Sequence, residues 1–101
     1  MKIATFNVNG VNGRLPVLIR WLAETKPDVA CLQELKAPQE KFPEAAIRRA
    51  GHGAIWHGQK SWNGVAILAR GQSFASVAVN EIGQDSNQGE YTAMMLSAAL
   101  L

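Results

Sequence analysis

Residues 27–36 run Pro27-Asp28-Val29-Ala30-Cys31-Leu32-Gln33-Glu34-Leu35-Lys36, an apolar segment followed at once by polar side chains. The apolar part, Val29 to Leu32, is short and uninterrupted, which is typical of a strand buried on both faces of a parallel sheet. Ligands of open α/β sheets bind just beyond the carboxyl ends of the strands. Gln33, Glu34 and Lys36 therefore mark a candidate site, with a solvated strand end as the alternative from the strand pattern alone.

A strand and a helix are predicted before this segment. Ile3 to Val8 alternates loosely between apolar and polar residues and leads into turn-forming residues, so it is predicted to be the first strand. Apolar residues then recur at helical spacing and predict a helix. Asn12 can cap this helix, and Pro16 is tolerated in its first turn. The helix is expected to stop before Pro27. The periodic positions are Leu15, Leu18, Ile19 and Leu22. Strand, helix and strand predict a βαβ unit with parallel strands.

Asn7 and Glu34 stand at the ends of these two strands. Neighbouring parallel strands lie roughly 5 Å apart and end at the same edge of the sheet, so the two side chains can converge on one ion or ligand. An amide oxygen and a carboxylate suit Mg²⁺, which keeps several waters and is completed by substrate phosphate. Many βαβ units end in Asn and Glu, so the spacing alone is not specific.

The chain as far as residue 70 predicts a further helix and two further strands. Pro43 opens a short helix that Gly51 is placed to end, and the strands are Gly53 to His57 and Gly64 to Ala69. The connection between the strands contains Lys60 and Trp62, which could lie along a sugar-phosphate backbone. The equal alternative is that Trp62 covers the end of the hairpin.

Length and composition fit one small domain of 101 residues. The formal net charge of +2 does not by itself indicate a nucleic-acid partner. The single cysteine, Cys31, lies in the apolar segment and predicts a buried thiol, and the chain cannot form an internal disulfide. No apolar segment predicts a signal peptide or a membrane span, so the expected setting is cytoplasmic, without a membrane partner.

Three motifs together resemble bacterial exodeoxyribonuclease III, of the AP endonuclease branch of the endonuclease/exonuclease/phosphatase superfamily. They span Lys2 to Gly10, Pro27 to Lys36 and Trp56 to Ile67, in the same order and without gaps. The resemblance covers roughly the first seventy residues. It implies the N-terminal half of a four-layered α/β sandwich, a mixed sheet flanked by helices.

The resemblance also implies an activity and a set of site residues. Members of this family are Mg²⁺-dependent phosphodiesterases, with Mn²⁺ as an alternative, that cut DNA 5′ to abasic sites and remove nucleotides from 3′ ends. Glu34 matches the principal metal ligand, and Asn7 matches its companion at the metal and phosphate. The positions that match residues near bound double-stranded DNA are Asn9, Asn12, Lys36 and Trp62.

Residues 71–101 are expected to be a diverged, frameshifted or truncated continuation of the domain formed by residues 1–70. The family's later Asp-x-Asn and Asp-His elements are not found, and Asp85-Ser86-Asn87 imitates the first of them in the wrong context. We therefore expect the chain to be inactive alone, and to be marginally stable or to self-associate through an uncovered sheet face. Two alternatives stay open: a non-catalytic fragment with residual DNA or metal binding, and a superfamily phosphatase that acts on a small molecule.

Overall fold

Two helices and four strands make up the regular structure of residues 1–59 and 63–71, the part of the chain that the computed structural model describes. In chain order they are β1 (Ile3–Asn7), α1 (Leu15–Thr25), β2 (Val29–Gln33), α2 (Glu44–Arg49), β3 (His52–Gly58) and β4 (Gly64–Arg70), with a 3₁₀ turn at Gln39–Lys41. The predictions for Lys60, Trp62 and Asp85 to Asn87 fall outside the described residues. The boundary after residue 70 stays a prediction.

The four strands form one mixed sheet in the order β1-β2-β4-β3. β1 and β2 are parallel neighbours, with Asn7 opposite Gln33, so the predicted βαβ unit is confirmed. β4 is antiparallel to both of its neighbours and therefore separates β2 from β3. The predicted α/β class, a mixed sheet flanked by helices, is confirmed.

The helices cover one face of the sheet and form the core with it. The strand residues of this face lie in rows across the sheet, such as the row of Phe6, Leu32, Ala66 and Trp56. Leu18 and Leu22 of α1 and Ile47 of α2 are buried against this face. Fully burying an aliphatic side chain of this size contributes about 1.5–3 kcal/mol, so these contacts hold the helices over the sheet.

The opposite face of the sheet is buried on β2 and β4 and exposed on β1. Cys31 and Ile67 are 3% and 0% exposed, whereas Ile3 of β1 is 49% exposed. Among the described residues, the exposed apolar surface of this face therefore lies at its β1 edge, and self-association through an uncovered sheet face stays a prediction. Burial also raises the pKa of the Cys31 thiol, as expected for a small buried hydrophobe.

The ends of α1 differ in part from the prediction. The residue before the helix is Arg14, and it makes no side-chain capping bond. The predicted cap is wrong, because Asn12 Nδ2 instead donates a hydrogen bond to Lys41 O at 3.1 Å. Pro16 does lie in the first turn, as predicted. The helix ends at a left-handed Lys26, whose N–H donates to Leu22 O at 3.0 Å, so it stops before Pro27.

Asp28 connects three strands at the end of the sheet away from the candidate site. Its Oδ2 accepts a hydrogen bond from Lys2 N–H at 2.6 Å, and its Oδ1 accepts one from Arg70 Nη2 at 2.7 Å. The Lys2 N–H, followed by the Arg70 guanidinium, holds the pKa of the Asp28 carboxyl below its usual range. No helix in the described part of the chain is long and apolar enough to cross a membrane.

Candidate functional site

Asn7 and Glu34 meet at the carboxyl ends of β1 and β2. Asn7 is the last residue of β1, and Glu34 directly follows β2. Asn7 Nδ2 donates a hydrogen bond to Glu34 Oε2 at 2.5 Å. The convergence that was predicted from the strand ends is present, because the two strands are hydrogen-bonded neighbours in register.

The amide of Asn7 is oriented by the turn that follows β1. Asn9 N–H donates a hydrogen bond to Asn7 Oδ1 at 3.1 Å. Because a backbone N–H can only donate, this bond requires the Asn7 oxygen on that side and leaves its nitrogen facing Glu34. Asn7 therefore acts here as a donor that positions the Glu34 carboxylate. Its predicted role as a direct metal ligand stays a prediction.

Lys36 and Asn9 join the same group of side chains. Lys36 Nζ donates a hydrogen bond to Asn9 Oδ1 at 2.5 Å and lies 3.8 Å from Glu34 Oε1. The side chains of Lys36 and Glu34 are 28% and 35% exposed, so their charges are partly shielded from water. Four residues that the sequence singled out thus form one polar cluster, consisting of Asn7, Asn9, Glu34 and Lys36.

The backbone of the polar cluster is held in an unusual conformation by main-chain hydrogen bonds. Asn9, Glu34 and Lys36 have φ values of 45°, 55° and 51°, in the left-handed region that non-glycine residues seldom adopt. Gly10 N–H donates to Glu34 O at 2.9 Å, and Lys36 N–H donates to Asn63 O at 2.9 Å. These bonds tie the segment after β1 and the start of β4 to the segment after β2, and they offset the cost of the left-handed conformations.

Asn12, another predicted DNA-contact position, is bonded outside this cluster. The Asn12 side chain is bonded to Lys41 O, so it connects the segment after β1 to the 3₁₀ turn. Trp62 lies outside the described residues. The DNA contact predicted at each of these two positions stays a prediction.

Gln39 is a residue near the site that the sequence did not single out. Its Nε2 donates to Trp56 O at 3.1 Å, and its Oε1 accepts from Gly58 N–H at 2.6 Å. Trp56 Nε1–H in turn donates to Gln39 O at 2.8 Å, and the Trp56 ring stacks on Phe42 with 4.5 Å between ring centroids. These contacts fix the 3₁₀ turn on the end of β3. No sequence signal predicts them, because they join residues that are distant in the chain.

The polar cluster fits part of a site for a hard divalent cation. Mg²⁺ is commonly held by one or two carboxylates together with substrate phosphates and water, and Glu34 provides one carboxylate beside a polar rim. Within residues 1–59 and 63–71, no group of three or more His, Cys, Asp and Glu residues could hold a metal ion. The described part of the chain therefore offers an open, incomplete donor set with Glu34 as its acidic member.

The sequence profile of the Endonuclease/Exonuclease/phosphatase family matches residues 4–90 of this chain. The match includes β2, β1 except for Ile3, and all four residues of the polar cluster. The chain belongs to the endonuclease/exonuclease/phosphatase family.

Similar proteins of this family include an exodeoxyribonuclease III and two nucleic-acid enzymes of known structure. Exodeoxyribonuclease III of Haemophilus influenzae is 39% identical over 70 residues, which are 69% of this chain and 26% of that protein. An AP endonuclease from Archaeoglobus fulgidus superposes with a TM-score of 0.73 and 42% identity, over 91% of this chain and 34% of that one. The 3′ phosphatase NExo from Neisseria, solved with a product DNA hairpin, superposes with a TM-score of 0.70 and 35% identity, over 97% of this chain and 49% of that one.

This member of the family matches only part of each of these relatives. It spans 26% of the length of the Haemophilus protein and 34% and 49% of the lengths of the two solved chains. The likeness to these proteins thus covers about a quarter to a half of each of them.

Proposed function

We propose that this chain provides the Glu34 part of the metal and phosphate site of a DNA-repair phosphodiesterase of the exodeoxyribonuclease III kind. The observation that carries the proposal is the 2.5 Å hydrogen bond from Asn7 to Glu34 at the carboxyl ends of adjacent parallel strands. The relatives support the substrate class, because one is an AP endonuclease and another was solved with product DNA. The proposed substrate is double-stranded DNA with an abasic site or a 3′ end.

Glu34 would hold the cation, with Mg²⁺ as the expected ion and Mn²⁺ as the alternative. When bound, such an ion would neutralise negative charge on a phosphate and on its leaving oxygen. Asn7 keeps the Glu34 carboxylate oriented through its amide, and the left-handed backbone of Glu34 is held by Gly10. Lys36 and Asn9 place a cation and an amide at the rim, where a phosphate oxygen can accept hydrogen bonds.

Hydrolysis of a phosphodiester also needs a group that activates water. Within residues 1–59 and 63–71, the polar cluster contains no histidine and no second carboxylate beside Glu34. We therefore propose that this chain binds the divalent ion through Glu34 and does not cleave DNA by itself.

Two measurements on the purified chain test the proposal. The first is Mn²⁺ binding by isothermal titration calorimetry, compared with Glu34→Gln, which keeps the size of the side chain and removes its charge. The second is Mg²⁺-dependent cleavage of a duplex with one abasic site. We expect Glu34-dependent binding of Mn²⁺ and no cleavage above the Glu34→Gln background.

The possible results separate the alternatives. Mn²⁺ binding that is equal in the chain and in Glu34→Gln would refute the metal assignment. Abasic-site cleavage that is lost in Glu34→Gln would refute the proposal of inactivity. Hydrolysis of a small phosphate ester without action on DNA would favour the phosphatase alternative.

A further inference from the structure

Lys36 places a positive charge beside the carboxylate that the proposed function assigns to a divalent cation. Its Nζ lies 3.8 Å from Glu34 Oε1, whereas Asn7 donates its hydrogen bond to the other oxygen, Oε2. The ammonium is also anchored by Asn9 Oδ1 at 2.5 Å. Its main chain is held by Asn63 O at 2.9 Å, which keeps the residue beside Glu34.

A divalent cation and the Lys36 ammonium are both attracted to the Glu34 carboxylate, whose Oε1 lies 3.8 Å from Lys36 Nζ. Mg²⁺ binds a carboxylate oxygen at about 2.1 Å, which brings it within a few ångströms of any cation already paired with that carboxylate. Like charges at such distances repel, and partial burial reduces the screening by water. The cation therefore gains the attraction of Glu34 only as the ammonium moves away from Oε1.

We propose that Lys36 is a built-in competitor of the divalent cation at Glu34, and that it lowers the affinity of the chain for that cation. The inference rests on the proposed function, because it takes Glu34 as the cation-binding residue. Asn9 Oδ1 already accepts a hydrogen bond from Lys36 Nζ at 2.5 Å, so it can hold the ammonium as that group moves away from Glu34. Asn9 thus favours cation binding without contacting the cation.

The size and direction of the effect follow from the pair. An ion pair at this exposure changes an equilibrium constant by up to about fivefold. Lys36→Met keeps the aliphatic stem and removes the charge, so Mn²⁺ should bind about two- to fivefold more tightly than in the unmodified chain. Asn9→Ala removes the competing anchor of the ammonium, so Mn²⁺ should bind more weakly. Lys36→Arg keeps the charge and should stay close to the unmodified chain.

Calorimetric Mn²⁺ titration of these variants tests the inference, with Lys41→Met as the matched control. Lys41 is exposed in the nearby 3₁₀ turn, so its substitution removes the same charge from a different position. Opposite shifts for Lys36→Met and Asn9→Ala, with no shift for Lys41→Met, support the proposal. A structural role for Lys36 alone predicts weaker binding in both variants, and the far-UV circular dichroism of each variant shows whether it is folded.

The outcomes keep this inference separate from the proposed function. If Glu34→Gln abolishes Mn²⁺ binding while Lys36→Met leaves it unchanged or weakens it, the competitor role is overturned and the metal assignment stands. If Mn²⁺ binding does not depend on Glu34 in any of the proteins, both are overturned.

Discussion

Gly58→Ala tests the close approach between the end of β3 and the segment that follows the polar cluster. A Cβ at this position would lie 2.6 Å from Gln39 N, 2.7 Å from Ala37 O and 2.8 Å from Gln39 Cα. All three are main-chain atoms, so the clash cannot be relieved by rotating a side chain. Gly58 has no positive φ, and the effect is therefore one of contact and not of backbone strain.

The expected cost combines three contributions. Overpacking of this kind destabilises by about 1–3 kcal/mol. Moving Gln39 away also weakens its bonds to Gly58 N–H at 2.6 Å and Trp56 Nε1 at 2.8 Å, each worth about 1 kcal/mol. Alanine lowers the conformational entropy of the unfolded chain relative to glycine, which offsets about 0.4–1 kcal/mol of this destabilisation. The net prediction is a decrease of about 2–4 kcal/mol in the free energy of unfolding.

Urea denaturation, followed by tryptophan fluorescence and far-UV circular dichroism, measures this change. The matched control is Gly13→Ala, because a Cβ there meets no atom within 4 Å and the φ of Gly13 is not positive. We expect the control to unfold at or slightly above the urea concentration of the unmodified chain. Equal unfolding of Gly58→Ala and Gly13→Ala would refute the reasoning, because it would mean that residues 37–39 do not pack against β3.

Three further predictions concern other parts of the fold. The pKa of Asp28 is lower in the folded chain than in the unfolded chain, so its ionised carboxylate stabilises the fold above the unfolded pKa. This stabilisation is lost as the pH falls through the folded pKa. Asp28→Asn should therefore lower the free energy of unfolding at pH 7 and make it depend less on pH in the acid range. Urea midpoints between pH 2 and 7 measure this change, and midpoints that fall equally with pH in both proteins would contradict it. The Cys31 side chain is 3% exposed and its thiol pKa is raised. A disulfide reagent should therefore label the native chain on the order of a hundredfold more slowly than the urea-unfolded chain. Equal labelling rates would show that β2 is not buried. Gln39→Ala removes both carboxamide bonds to β3 and should lower the free energy of unfolding by about 1–3 kcal/mol, while Glu40→Ala should have little effect; equal urea midpoints for the two variants would rule out the carboxamide bonds.

Much of the βαβ unit could be predicted because its signals are local. The apolar run of Val29 to Leu32, the helical spacing that includes Leu18 and Leu22, and the proline at 27 each reflect preferences of neighbouring residues. The parallel pairing of β1 and β2 follows from the length of the crossover. The cap was wrong, because Asn12 finds a partner in Lys41, which is 29 residues away.

The candidate site was predictable in its residues and less so in its geometry. The strand ends identified Asn7, Glu34 and Lys36, and the resemblance added Asn9. The orientation of the Asn7 amide, which makes it a donor to Glu34, depends on a turn that no residue pattern specifies. The separation of Lys36 from Glu34 likewise depends on two left-handed residues.

By itself the sequence determined the family, the order of the strands and helices, and the two strand ends at which the candidate site lies. Only the tertiary structure decided that β4 lies between β2 and β3, that Gln39 fastens the 3₁₀ turn to Gly58, and that Lys36 faces Glu34. The physical reason is the sequence separation over which each kind of interaction acts. Helix and strand preferences act between residues a few positions apart, whereas strand insertion and side-chain pairing depend on packing between segments that are far apart in the chain.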